Sequence, residues 1–339
     1  MSNRFERSDV SFVDLSIKKL KKPKTFIDDI VKFVDWKPIK NVLLKKLNRK
    51  PDVIGNPAYP PLSMFKILLL QRWYDLSDRE MDDALTDRIS FRIFVNFSFN
   101  YDTPNFTTIC RFRNNLIKYG LDKKLFNILK GQLQKHGLII KKGAIIDASI
   151  ISSSRRPRKS INLVEYTEEI TNPLIKITYS GDVEAKWTVK AGKPYYGYKI
   201  HVCTDPHFGF ILGGHTTPAN FSDTKELLTV INESKIKKGS LIFADKGYDS
   251  IKNRELIIES DYKEAIMYKA HKNKPLTEIQ RNINSKISSV RARVERTFGT
   301  LKRGYGFYRT RYLGCLKVNG QFLLSAIAFN LKKACIFAV

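Results

Sequence analysis

Two short apolar runs in the chain each end in an acid. Ala144-Ile145-Ile146 leads into Asp147, and Leu241-Ile242-Phe243-Ala244 leads into Asp245. A continuous apolar run of this length predicts a buried strand, and an acid at its end places a charge at the rim of an open α/β sheet. From residue 141 onward the pattern predicts strands over 143–151, 196–204, 209–216, 241–245 and 263–268. Helical spacing falls at 222–233, 249–258, 277–301 and 320–333. Strands alternating with helices predict an α/β domain, here a mixed sheet flanked by helices, over 141–339.

Upstream the period is helical. Phe26-Ile27-Ile30-Val31-Phe33-Val34 and Leu43-Leu44-Leu47 follow an irregular start, and PDVIGNPAYP (51–60) reads as a loop. Pro61 suits a helix start, and Met64, Ile67, Leu68, Leu69 and Trp73 form a buried face. Ser77 with Glu80 three residues on predicts a capping box. Residues 1–137 are therefore expected to be an all-helical domain. Ser77–Leu116 admits two readings. In one it is a helix-turn-helix with Arg111 and Arg113 facing DNA. In the other it is a helical bundle that only packs against the second domain or a second copy.

The segment 152–195 opens with SSSRRPRKS, too basic and polar for a core, and is expected to be a mobile or DNA-ordered loop, with a solvated insert as the alternative. Arg155 and Arg156 lie in it, and Lys199 follows on the next strand, all three as candidate DNA contacts. Charge points the same way. Lys and Arg number 60 against 33 Asp and Glu, a net charge of +27, which predicts a polyanionic partner. Cys110, Cys203, Cys315 and Cys335 form no CxxC pair, and the five histidines show no HxxxH or HxH spacing, so zinc is not indicated. Nor does a Walker-type glycine loop for a nucleotide occur. No apolar stretch is long enough to span a bilayer, and MSNRFERSDV carries no signal-peptide core, so a cytoplasmic, nucleoid-associated protein is expected.

Hydrolysis of a phosphodiester needs an activated water and a stabilised leaving oxyanion, which two Mg²⁺ ions about 3.5–4 Å apart supply. Mg²⁺ takes oxygen ligands and keeps several waters, so a few carboxylates suffice. Asp147 and Asp245 meet that need as strand-end acids, although each alone could be a turn or cap residue. Glu295 sits in the basic helix SSVRARVERTFGTLKRGYG. At about 100° per residue, Arg291, Glu295 and Lys302 share one face, beside an apolar stripe of Val290, Val294, Phe298 and Leu301. That face is expected to look into the cleft, with Arg291 and Lys302 on DNA phosphates near the cut. His201, on a strand with small and basic positions, is a further cleft candidate.

At these residues the chain resembles the DDE transposases of bacterial insertion sequences, in the IS-five group of the IS-four superfamily. The resemblance covers nearly the whole chain: NPAYPPLSMFKILLLQRWYDLSDREMDDALTDRISFRIFVNF with TPNFTTICRFRNNL, then DVEAKWTVKAGKPYYGYKIHVCTD, GHTTPANFSDTKEL and ADKGYDS. Arg291, Glu295 and Lys302 match a Tyr-(2)-Arg-(3)-Glu-(6)-Lys signature, with Ser288 at the Tyr position and Asn105 where Asp is expected upstream. The resemblance implies an RNase H-like catalytic core with Asp147, Asp245 and Glu295 as metal-binding catalytic acids. It implies two Mg²⁺ ions, with Mn²⁺ as a substitute, and a homodimer that pairs two ends. The partner is double-stranded DNA: terminal inverted repeats, which are cut, and target DNA, to which the 3′-hydroxyl ends are joined. Asn220 and Asp223, after GHTTPA, are expected to line the cleft. Two alternatives remain: a DNA-binding repressor without catalysis, and a metal-dependent endonuclease without strand transfer.

Overall fold

A computed structural model describes residues 24–47, 58–100, 102–140, 143–163 and 175–337. The start at 1–23, most of the 51–60 loop and residues 164–174 of the basic segment lie outside the described residues. The N-terminal part is helical: α1 (Phe26–Phe33), α2 (Trp36–Leu47), α3 (Pro61–Trp73), α4 (Asp78–Asp87), α5 (Ile89–Val95), α6 (Phe106–Lys118) and α7 (Leu121–Lys135). Local chemistry sets their starts. Pro61 opens α3, and the Ser77–Glu80 capping box opens α4, each satisfying or removing donors that a first turn leaves orphaned. Asn105 caps α6 by accepting from the Thr108 amide at 2.9 Å. Asn and Asp serve equally at that position, so the missing Asp is explained.

The second part is built on a mixed sheet. Its strands are β1 (Gly143–Ser152), β4 (Lys186–Lys190), β5 (Lys193–Thr204), β6 (Ile211–Pro218), β7 (Leu241–Ala244) and β8 (Lys263–Ile266). β2 (Arg158–Leu163) and β3 (Ile175–Ser180) form a separate antiparallel pair. In the main sheet β6, β5 and β1 run as an antiparallel meander, and β7 and β8 continue parallel to β1. The order β6-β5-β1-β7-β8 is that of an RNase H-like core. β4 pairs with the outer part of β5, beyond the stretch that β6 covers. Helices α8 (Asp223–Ser234) and α9 (Ile251–Glu259) connect the later strands. The long α10 (Glu278–Gly304) and α11 (Cys315–Phe337) follow β8.

Alternation along β1 divides its side chains between two cores. Ile145 and Ile151 join the cluster shared with α10, α11 and the N-terminal helices, while Ala144 and Ile146 join the cluster under α8 and α9. α11 is buried nearly all round, as a helix that is apolar on every side must be. It runs between the two parts, and Trp73 Nε1 donates to the Ala328 carbonyl at 2.8 Å across that contact. Among the described residues no helix is long and apolar enough to cross a membrane.

One expectation is corrected here. The basic segment 152–195 is not simply a loop, because it supplies β2, β3 and β4. Its closing half is anchored by Asp182, which is buried and accepts from Ser153 Oγ at 2.8 Å and Tyr198 Oη at 2.5 Å. The Gly314 amide donates to the same carboxylate at 3.1 Å.

Candidate active site

β1 carries Asp147 in register with Val202 of β5. On its other side β1 pairs with β7, and Ile146 stands opposite Ala244. The next residue of each strand is therefore an acid, so parallel pairing sets Asp147 and Asp245 side by side. Asp245 then precedes the short 3-10 turn Lys246–Tyr248, its carbonyl accepting from the Tyr248 amide at 2.9 Å while its side chain makes no capping bond.

α10 crosses this edge. Ile287, Val294, Phe298 and Leu301 are its buried apolar stripe, and Arg291 lies within that stripe rather than beside it. Its guanidinium bridges the two acids: Nη2 to Asp147 Oδ2 at 3.2 Å and Nη1 to Asp245 Oδ1 at 3.1 Å. The Met267 sulfur also lies 3.5 Å from Nη1. Asp147 Oδ1 accepts from the Ala148 amide at 2.8 Å. Burial raises the Asp147 carboxyl above its ordinary value, against the opposing pull of Arg291, and the neighbouring Asp245 adds to the rise. One guanidinium faces two carboxylates, so the cluster is short of positive charge.

Tyr248 belongs to this edge as well. Its ring is buried in the core under α8 and α9, and its hydroxyl has no hydrogen-bond partner. Burial, then the charges of Asp223, Asp147 and Asp245, drive that hydroxyl far above its usual range. Sequence reasoning passed over Tyr248, although it stands at a fixed offset after Asp245 in ADKGYDS. It also passed over Lys190, whose charge bears on both Asp147 and Lys302. Lys302 is half-buried on α10, and burial lowers its ammonium, with Lys190 adding repulsion.

The other expected residues divide. Glu295 is on α10 one turn beyond Arg291 and is exposed. No group of three or more His, Cys, Asp or Glu among the described residues is placed to hold a metal ion. Asp147 and Asp245 together still suit a hard divalent cation, because each keeps one oxygen that Arg291 does not take and Mg²⁺ needs few protein ligands. Arg111, Arg155 and Arg156 are exposed, as DNA contacts require, and so is Asn220. Asp223 opens α8 and holds Lys199 Nζ at 2.8 Å.

Four expectations are corrected. Arg291 does not face DNA, because it is buried between the two acids. Arg113 is buried and forks onto Asp78 at 2.5 and 2.7 Å beneath the Tyr312 ring, so it ties α6 to α4. Lys199 is held by Asp223 and by the Phe221 carbonyl at 2.7 Å, which pins the turn after β6. His201 does not reach a cleft. It is fully buried, with Nε2 2.9 Å from Thr217 Oγ1 and its ring 5.2 Å from that of His215. Burial pushes its imidazole down to about 3, so it stays neutral.

The family model described as Transposase DDE domain matches residues 140–331, and Transposase domain (DUF772) matches residues 15–115. The chain is 36% identical over 226 residues to the transposase for insertion sequence element IS1106 from Neisseria meningitidis serogroup B. That match covers 66% of this chain and 76% of the relative. Among solved structures it is similar to the piggyBac transposase synaptic complex with hairpin DNA, at 10% identity and a TM-score of 0.47 over 92% of this chain and 76% of that one. It is also similar to the Mos1 strand transfer complex, at 9% identity and a TM-score of 0.26 over 96% and 90% of the two chains.

Proposed function

Because the chain belongs to the DDE transposase family of bacterial insertion sequences, and is thus a catalytic transposase acting on DNA, we propose that it cuts and rejoins the ends of its own element. In this reading it binds the terminal inverted repeats as a homodimer, hydrolyses a phosphodiester at each end, and joins the freed 3′-hydroxyls to target DNA. The observation that supports the reading is the juxtaposition of Asp147, midway along β1, with Asp245, just past the end of the parallel strand β7, under one shared guanidinium.

Asp147 and Asp245 are the ligands of a divalent cation, and Glu295, on the same helix as Arg291, is the third acid of the set. Bound Mg²⁺ would lower the pKa of a water nucleophile and neutralise the leaving oxyanion. The chain's own groups supply the positioning. Arg291 fixes the spacing of the two aspartates and offsets part of their repulsion. The Ala148 amide orients Asp147. Burial of the Tyr248 ring and the Ile145–Ile146 run excludes bulk water from the inner side of the pair. Lys302, Arg111, Arg155 and Arg156 are the DNA contacts, and their summed charge draws the duplex in before any base is read. The helical part over 1–137 serves end binding and dimerisation, and 141–339 is the catalytic domain.

The test is a plasmid carrying the gene with its flanking DNA, incubated with purified protein in Mg²⁺ or in EDTA. Cuts confined to the element ends, absent in EDTA and in Asp147→Ala, together with joined products, are expected. Cuts without joined products would reduce the reading to an endonuclease. DNA bound but never cut would leave a repressor. For Glu295, replacement by Gln is expected to abolish cutting while DNA binding persists; wild-type cutting by that variant removes it from the set.

A further inference from the structure

β4 and β5 leave the sheet together as a two-stranded ribbon. Lys186 stands opposite Gly197 at its base, and Lys190 opposite Lys193 at its tip. Ala191 and Gly192 close it with φ of 49° and 75°. Two successive left-handed residues are the type I′ turn, whose twist matches that of the flanking strands, so the ribbon is locally well made. Yet it packs on little. Every residue of β4 except Thr188 is exposed, and Ala191 through Pro194 are exposed as well.

The side chains are unusual for a free edge. From Ala185 to Thr204 the sequence holds no Asp or Glu, while Lys186, Lys190, Lys193 and Lys199 supply cations. Among the described residues neither Lys190 nor Lys193 has an acidic partner within salt-bridge distance. Lysines on an edge strand commonly serve only to block edge-to-edge aggregation. That explanation fails for the apolar residues between them, since Trp187 is 49% and Val189 70% exposed. A strand built only to repel other strands would not carry both. Trp187 is held in place by Tyr196, with ring centroids 5.1 Å apart, and the Arg156 guanidinium lies 6.0 Å from its ring. A rigid apolar ring flanked by cations suits a duplex groove, where apolar side chains meet thymine methyls and cations meet phosphates.

Position supplies the second argument. The ribbon springs from the segment directly after β1, the strand of Asp147, and β5 pairs with β1 along its length. β5 itself joins the two places, carrying Val202 opposite Asp147 and Lys193 at the tip of the ribbon. The ribbon is therefore a continuation of the strand that flanks Asp147. A duplex whose phosphate reached Asp147 and Asp245 would meet the ribbon next.

We infer that the β4–β5 ribbon is a DNA finger that enters the major groove beside the phosphate presented to Asp147 and Asp245. Lys190 and Lys193 grip the backbone at its tip, and Trp187 bears on the groove floor. The major groove of B-DNA, about 12 Å wide, admits a two-stranded ribbon. The inference rests on the reading of the chain as a DNA-cutting enzyme, and it adds the element, the groove and the residues.

The test uses the full chain in EDTA, so that cleavage does not enter. Binding to a duplex bearing the element end and to an unrelated duplex is measured across a range of salt. Wild type is compared with Lys190→Ala/Lys193→Ala, with Trp187→Ala, and with Lys237→Ala/Lys252→Ala, which removes equal charge from exposed positions elsewhere. Loss of two phosphate contacts is expected to reduce the salt slope by about 1.8 and to weaken binding roughly 60-fold at 0.1 M salt. The control pair should change neither. Protection of guanine N7 from methylation near the cut should be present in wild type and lost in Trp187→Ala. The inference is overturned if the ribbon pair behaves like the control pair, or if N7 protection persists in Trp187→Ala. Should the ribbon effect appear on both duplexes with no preference for the end, the transposition reading fails while the DNA finger stands.

Discussion

Two buried arginines in this chain do different work. Arg113 meets one carboxylate, Asp78, through two short bonds, and its side chain is only 3% exposed. Arg291 meets two carboxylates, Asp147 and Asp245, through one longer bond to each. The consequences for the acids are opposite. Burial pushes the Asp78 carboxyl up, but Arg113 and Gln71 overcome it and hold the group below its ordinary value. For Asp147, burial wins over Arg291 and the group is raised. A one-to-one pair that is fully forked is finished structure. A pair of acids sharing one cation retains unmet negative charge, which is the electrostatic condition for binding another cation.

That contrast can be broken at several points. The largest effect is expected for Arg113→Ala, which strands Asp78 and leaves the α4–α6 contact unpaired. Urea unfolding should show a loss of about 3–5 kcal/mol, unchanged by added Mg²⁺. Arg291→Ala should cost less, about 1–3 kcal/mol, because Asp147 and Asp245 keep some solvent contact. Its melting temperature should recover when Mg²⁺ is added. If Mg²⁺ rescues both variants or neither, the two arginines are not different in kind.

A third outcome concerns pH. A carboxyl held below its unfolded value contributes stability that is complete above that value and is lost as pH falls through the folded value. Asp78→Asn should therefore destabilise most at neutral pH, and its stability curve should begin to approach that of wild type below the ordinary Asp value of about 3.9 and meet it only below the lower folded value. A pH-independent difference would mean that Asp78 acts by shape rather than charge. The smallest effect is expected for Arg111→Ala, whose side chain is exposed. Stability should move by no more than about 0.5 kcal/mol, while DNA binding weakens and its salt slope falls by about 0.9.

Much of this molecule was legible in its sequence. The two apolar runs leading into Asp147 and Asp245 are short and uninterrupted, so both strands were readable, but only Asp245 is followed by a turn, while β1 runs on past Asp147 to Ser152. The Ser77–Glu80 capping box and the long basic helix were equally plain. Orientation was harder. On α10 the wheel placed Arg291 with Glu295 and Lys302, but spacing alone cannot say whether an arginine three residues before Val294 closes the exposed face or opens the buried one. The two acids on the sheet edge decide that, and they are distant in sequence. His201 failed for a related reason. Strand alternation gives two faces, and which face is core depends on α8 and His215, not on the strand itself. In 152–195 the high charge hid real strands. The alternation in KWTVK and the Ala191-Gly192 turn were the signals for the ribbon.

The central claim is that Asp147 and Asp245 form a cation site. The most direct measurement is titration of the purified chain with Mn²⁺, following the free ion by electron paramagnetic resonance, in wild type, Asp147→Asn and Asp245→Asn. The account predicts binding by wild type, displaced by Mg²⁺, and its loss in each variant with the fold intact. Equal binding by all three proteins, or none by wild type even with end-bearing DNA present, would contradict it.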